Sequence, residues 1–390
     1  MANLRSDFGI NALRRPTEFN VTACYQPTSR TPSSSPGGGA AGNAAAETLR
    51  QEGYFGRITM LSADASMPCD RPNLSKGYLT GTASEKSNLL RSNEFHNDQQ
   101  IDARAGARVT AIDIASGQLV MADGSRLAYR ALLLATGADP VRLDVAGGDL
   151  RHVHYPRTLA DSRALVSSAM TSRRVVVIDA SFIGLEVAAS LRARDIEVHV
   201  VAPDSIPMEK VGGPEAGTSI RGLHEQHGVT FHLGTRAISI SARSVTLENG
   251  EHLESDLIVA AIGIRPATSL AGRTGSPANE FGSNILSWPS IRGRSRHATS
   301  LAIARHSMPS RSSGTEQYDF GIAYVAHAER WDVAEINGQL AERDCSITYR
   351  KGRKKLAVAT IHRDLDSLRA EVEFERTIAS FAKAATGRAS

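Results

Sequence analysis

Three glycines set the first chemical expectation. Gly37-Gly38-Gly39-Ala40-Ala41-Gly42 is a G-x-G-x-x-G run that opens a helix-like stretch. In such a loop the first glycine allows a tight turn and the second lets backbone approach a pyrophosphate. The third lets the helix pack on a sheet. The phosphates then rest on free N–H groups at the helix start, where the dipole also favours negative charge. An acid roughly 20 residues on is expected to meet a ribose, and Asp64 stands there, at the end of the next strand-like run. A second strand–turn–helix unit reads Val175-Val176-Val177-Ile178-Asp179-Ala180-Ser181-Phe182-Ile183-Gly184. Its first glycine position holds Asp179, its second Ser181, and only Gly184 survives. A carboxylate there repels a pyrophosphate and lacks glycine's freedom at positive φ. The unit is a second dinucleotide site or a structural turn that once was one. Two such units imply two dinucleotides, a flavin and a nicotinamide, because hydride transfer needs both face to face.

Alternating strands and helices must position these turns. Strand-like runs lie at 57–61, 131–135, 174–178 and 197–201, with helices from Gly42 and over 184–194. That order predicts βαβ units and parallel sheets covered on both faces. Residues 1–36 read as irregular, ending in Thr31-Pro32-Ser33-Ser34-Ser35-Pro36. Residues 271–313, rich in Ser, Arg and Gly, break the pattern. Strand signals return at 318–325, 345–350 and 356–362, and a helix is expected from Leu368. This tail reads as a small C-terminal α+β domain.

Bulk composition removes other classes. The 390 residues carry 45 Lys plus Arg against 41 Asp plus Glu, a net charge of +4. That excess is too small to imply nucleic acid and modestly favours an acidic protein partner. No apolar run approaches the roughly 20 residues needed to span a bilayer, and no secretory signal is visible at the N-terminus. Three cysteines, Cys24, Cys69 and Cys345, lie far apart, which excludes a disulfide framework and a C-x-x-C pair. The expectation is a cytoplasmic protein, monomer or homodimer, without metal or membrane.

The glycine loop resembles the FAD-dependent ferredoxin reductase family, the putidaredoxin- and rhodocoxin-reductase-like and apoptosis-inducing-factor-like flavoproteins. Pro68-Cys69-Asp70-Arg71-Pro72-Asn73-Leu74-Ser75-Lys76, Ala135-Thr136-Gly137-Ala138-Asp139-Pro140 and Phe182-Ile183-Gly184-Leu185-Glu186 carry the same resemblance. It implies a glutathione-reductase-like α/β fold with two doubly wound dinucleotide-binding domains. FAD would be held by 37–150 and 271–313, and NADH or NADPH by 151–270. Residues 314–390 would form the C-terminal interface domain. Electrons would pass from nicotinamide through FAD to a ferredoxin or Rieske-type iron–sulfur protein. Gly37, Gly39, Gly42 and Asp64 would hold the ADP half of FAD, and Arg71 and Lys76 would face the flavin. Lys76 would meet the flavin N5/O4 edge, or else be a solvated lysine. Val109 would contact adenine, or be strand core. Thr136 and Gly137 would mark where the chain passes beside FAD. Phe182, Ile183 and Gly184 would form the second nucleotide turn. Glu186 would lie near the nicotinamide, or be an exposed helix glutamate. Cys69 reads as a small packing residue.

Three departures weaken the match. The apolar strand expected before Gly37 is replaced by the Ser/Pro run at 31–36. The second FAD signature, a Gly-Asp segment, is missing between Leu270 and Thr315. Gly314 replaces an aromatic before Thr315. Local reading-frame shifts in the gene at 31–36 and 308–314 account for these together, or else the segments are divergent, flexible loops; weak flavin retention is expected. The alternative function is a non-catalytic or nucleotide-sensing remnant.

Overall fold

The computed structural model describes residues 18–23, 39–272, 300–302, 312–328 and 330–386. Its first unit runs β1 (Glu18–Ala23), α1 (Ala40–Gln51), β2 (Arg57–Ser62), β3 (Ile101–Arg104) and β4 (Ala131–Leu134). These strands make a parallel sheet ordered β4-β1-β2-β3, with Ser300–Ala302 pairing parallel to the outer side of β4. Ile58 and Met60 pack with Ala45 and Ala46 of α1 on one face, while Leu61, Leu132 and Leu134 pack with Val109 and Leu119 on the other.

The central strand corrects two sequence expectations. Residues 1–36 are not irregular throughout, and the central strand is not missing. It is supplied by Glu18–Ala23, which pairs with β2 from Glu18↔Arg57 to Ala23↔Ser62. The Ser/Pro run at 31–36, on which the first frame-shift argument falls, lies outside the described residues, as do 308–311 of the second.

The second unit runs α2 (Leu159–Ala169), β5 (Arg174–Ile178), α3 (Phe182–Arg192), β6 (Glu197–Ala202), α4 (Glu209–Gln226), β7 (Val229–Leu233) and β8 (Leu257–Ala260). Its parallel sheet is ordered β7-β6-β5-β8, with Val153–His154 outside β8. The unbroken apolar runs have a reason. Val175, Val177 and Val259 feed one core, and Val176, Ile178 and Ile258 feed the other. Strands covered on both faces lose the polar alternation of half-exposed ones. The chain enters and leaves this unit through Ala138–Pro140 and Ile264–Pro266, paired antiparallel.

The C-terminal strands are β9 (Ser312–Gln317), β10 (Phe320–Ala326), β11 (Val333–Gln339), β12 (Asp344–Lys351) and β13 (Lys354–Ile361), followed by α5 (Asp364–Thr386). They form an antiparallel sheet ordered β9-β10-β13-β12-β11. Phe320, Tyr324, Ile347 and Tyr349 pack on Leu185 of α3 and on Ile220 and Leu223 of α4. Sequence reading missed β9 and β11. Among the described residues no helix is long and apolar enough to cross a membrane.

Candidate functional site

Gly39 is the N-cap of α1, with extended backbone and no side-chain cap. The opening N–H groups of the helix therefore have no side-chain acceptor, the arrangement that receives an anion. Gly42 is buried at the start of the helix, and Gly37 lies outside the described residues. Asp64 follows β2 and is buried. Its carboxylate accepts the Ser66 N–H at 3.2 Å, and its carbonyl accepts the Gly106 N–H at 2.7 Å. Burial pushes its acid above the usual carboxylate range, against the pull of that N–H and of Arg71. Val109 is fully buried beside Leu61 and Leu119.

A polar chamber forms where the chain leaves the first unit. Thr136 is buried, and Gly137 stands at φ +69°, where a Cβ would lie 3.7 Å from Arg71 Nη1. The Arg71 Nε and the Asp139 Oδ1 are both sealed from water without a partner. Burial lowers the Arg71 guanidinium from its ordinary value, and Cys69, Asp64, Asp161 and Asp139 pull it back. Burial also pushes Asp139 up to about 7, opposed by Arg157 and Arg71. Arg157 donates its Nε–H to the Ala138 carbonyl at 3.1 Å and is lowered by burial to about 10. Two half-buried guanidiniums and an orphan donor fit the phosphates of a cofactor such as FAD, and the orphan Asp139 oxygen fits one of its hydroxyl or N–H donors. Buried polar atoms ordinarily have partners. Cys69 is buried here with its thiol pushed up by burial, which suits a packing residue rather than a nucleophile.

The seam between the two units is the second feature. Residues Arg71–Ser75 form a 3-10 turn that docks on α3. Lys76 Nζ lies 3.0 Å from Glu186 Oε1, and the Ser75 hydroxyl donates to Glu186 Oε2 at 2.6 Å. The Ser190 hydroxyl donates to the Ser75 carbonyl at 2.7 Å. Glu186 is therefore a buried helix glutamate, not an exposed one, and Lys76 is tied rather than free. A cleft of about 620 Å³ opens beside Lys76, Pro72 and Asn73 and is floored by Gly314, Thr315 and Ile322.

In the second turn Gly184 is sterically required, because a Cβ there would stand 2.3 Å from the Asp179 carbonyl oxygen. Asp179 takes φ +131°, a conformation suited to glycine. Ile183 packs on the β5–β6 core, and Phe182 packs toward the C-terminal sheet. At the end of β6 Ala202 is buried, and Asp204 in the loop that follows pairs with Lys210 at 2.9 Å. Among the described residues no group of three or more His, Cys, Asp or Glu is placed to hold a metal.

Sequence reasoning quoted Asp139 and Ser75 without giving them roles, and it missed Arg157. No local pattern marks Arg157 as a partner of Arg71. Only the packing of α2 and the 3-10 turn brings them together.

The pyridine nucleotide-disulphide oxidoreductase family matches over residues 37–284. Rhodocoxin reductase of Rhodococcus erythropolis is 36% identical over 248 residues, 62% of this chain and 58% of that protein. Putidaredoxin reductase of Pseudomonas putida is 30% identical over 374 residues, 85% of this chain and 88% of that protein. The chain thus spans less than two thirds of the first relative and most of the second. Among solved structures, putidaredoxin reductase in its covalent complex with putidaredoxin superposes with a TM-score of 0.77 at 26% identity, covering 93% of each chain. A ferredoxin reductase from Rhodopseudomonas palustris gives 0.74 at 30% identity, covering 85% of this chain and 91% of that one.

Proposed function

This chain belongs to the pyridine nucleotide-disulphide oxidoreductase family, and from that premise we propose that it transfers electrons from NADH or NADPH through FAD to a ferredoxin-type iron–sulfur protein. The proposal assigns FAD to residues 37–150 and 271–313 and the nicotinamide to 151–270. It assigns the acceptor-facing surface to 314–390. The observation that carries it is the Lys76–Glu186 contact, which joins the 3-10 turn of the first unit to α3 of the second. The turn and the helix belong to the two units read as binding one dinucleotide each, so on this reading the two cofactor rings would converge on this seam.

FAD, when bound, supplies the ring that accepts a hydride and gives up electrons singly. The chain's own residues do the rest. Arg71 and Arg157 neutralise phosphate charge in the chamber, and Gly39 and Gly42 admit the pyrophosphate to the start of α1. Glu186 and Ser75 fix the Lys76 ammonium at the seam, where a held cation favours negative charge without reorganising.

The test is reconstitution with FAD followed by anaerobic addition of NADH. Bleaching of the flavin absorbance, and NADH oxidation with ferricyanide that slows in Glu186→Gln, is the expected result. A protein that takes up FAD stoichiometrically yet is bleached by neither NADH nor NADPH would overturn the proposal.

A further inference from the structure

Asp179 occupies the turn between β5 and α3, where the nicotinamide reading needs a seat for phosphates. Its carboxylate accepts a hydrogen bond from the Ser181 hydroxyl, and the neighbouring backbone N–H groups of Ser181 and Ala180 favour its charged form. Ser181 is the N-cap of α3 and makes no cap with its own side chain. The N–H groups at this helix start are the donors a dinucleotide's pyrophosphate would use. The turn cannot carry the carboxylate away by shifting its backbone. Gly184 brings α3 against the Asp179 carbonyl with no room for even a Cβ. The Asp179 N–H is also held by the Val201 carbonyl at 3.0 Å.

We propose that Asp179 is a built-in occupant of the second unit's phosphate seat, so that a nicotinamide dinucleotide binds only as this carboxylate is neutralised or displaced. The inference rests on the reading of the second unit as the nicotinamide site. It makes Asp179 the residue that sets nucleotide affinity through its charge.

The charged surroundings fix the direction of the effect. Burial pushes the Asp179 acid up to about 6, and the Asp204 carboxylate adds to the push. Asp204 is carried by the loop that packs here through Met208, whose N–H donates to the Ala180 carbonyl at 2.9 Å. Lys210 on α4 is engaged by Asp204, and Glu209 accepts the Ser205 N–H at 2.9 Å. From β8 the Ala261 N–H donates to the Ile178 carbonyl and brings no charge. Below the midpoint Asp179 is neutral, repels no phosphate and grips its donors weakly. Above it the charged carboxylate holds them. Nucleotide affinity therefore falls as pH rises, by up to about tenfold per unit when only the neutral form admits the ligand.

Calorimetric titration of the purified chain with NAD⁺ and with ADP-ribose, from about pH 5 to about pH 8, tests this against Asp179→Asn and Asp179→Gly. NAD⁺ is chosen because the oxidised nucleotide tolerates acid. ADP-ribose is chosen because it keeps the pyrophosphate and lacks the nicotinamide. The expected result is a steep loss of affinity with rising pH in the wild type, the same for both ligands. Asp179→Asn should be nearly flat, and Asp179→Gly flat and tightest. Asp179→Gly suits the observed φ, so it keeps the test open if Asp179→Asn does not fold. Equal pH slopes in wild type and variants would overturn the proposal while leaving the site in place. Failure of all three proteins to bind either ligand at any pH would overturn both the proposal and the nicotinamide assignment.

Discussion

The two dinucleotide units are built alike and altered in opposite ways. The second keeps its strand and helix in unbroken order, with Val175 to Val177 fully buried, but carries Asp179 in the turn. The first keeps the glycines of its turn but draws its central strand from residues 18–23, well ahead of the loop. Scaffold and turn are thus separable. Apolar strands covered on both faces decide whether the unit forms, and turn residues decide what it can hold. The surviving glycines divide the same way. Gly184 has backbone 2.3 Å from where its Cβ would be, whereas among the described residues nothing lies within 4 Å of the corresponding point at Gly39. One glycine serves packing, and the other has open space beside it.

The largest effect expected from this contrast is at Gly184. Gly184→Val forces a side chain into the Asp179 carbonyl, which is backbone and cannot swing aside. A loss of about 3 kcal/mol or more is expected, at the upper end of overpacking costs. Urea unfolding of the wild type and variant measures it. A loss within about 0.5 kcal/mol would show that the turn relaxes and that Gly184 is not structural.

The seam between the units comes next. Glu186→Gln removes the charge opposite the Lys76 ammonium and leaves it only neutral acceptors, the new amide oxygen and the Pro72 carbonyl at 3.3 Å. Removing one partner of a buried pair is costlier than the pair is worth. Here Lys76 stays 18% exposed, so water compensates in part, and about 2 kcal/mol is expected. If Lys76→Met alone cost as much as the double variant with Glu186→Gln, the pair would be acting as a unit. Additive losses would show that it is not.

What could be read from sequence follows the same division. The runs at 174–178 and 197–201 were legible because burial makes them almost continuously apolar. Glu18–Ala23 was not legible, since a local rule looks for the strand immediately before its glycines. Val333–Gln339 escaped because it is an edge strand whose residues are almost all exposed, so no periodicity marks it. The glycine turns and the 68–76 string located the site. The chamber itself was hidden, because Arg71, Asp139 and Arg157 come from three separate stretches of chain and their enclosure exists only once the chain is folded.

Asp179→Gly sharpens the comparison from the second unit's side. Glycine relieves a non-glycine residue at φ +131°, a gain of roughly 1–2 kcal/mol against the added entropy of the unfolded chain. The gain has a definite pH dependence. Burial raises the folded-state acid from its ordinary value to about 6. Its contribution to stability is fully present below the unfolded value and is lost as pH rises through about 6. The variant's advantage should therefore grow from acid to neutral pH and then level off. An advantage that shrinks with rising pH would contradict the environment assigned to this carboxylate.

The smallest effect on stability is expected at Gly39, and it is the one that separates scaffold from turn most cleanly. Gly39 has extended backbone, open to any residue, and among the described residues no atom within 4 Å of a Cβ. Alanine loses a little as an N-cap relative to glycine and gains by restricting the unfolded chain. The two nearly cancel, so Gly39→Ala should unfold within about 0.5 kcal/mol of the wild type. FAD uptake should fall sharply, because the new methyl stands where backbone must approach the pyrophosphate. Fluorescence titration with FAD, read beside the unfolding curve of the cofactor-free protein, gives both quantities from one preparation. An unchanged FAD affinity would mean that the first glycine turn does not hold the cofactor. A large stability loss would mean that Gly39, like Gly184, serves packing, and the contrast between the two units would fail.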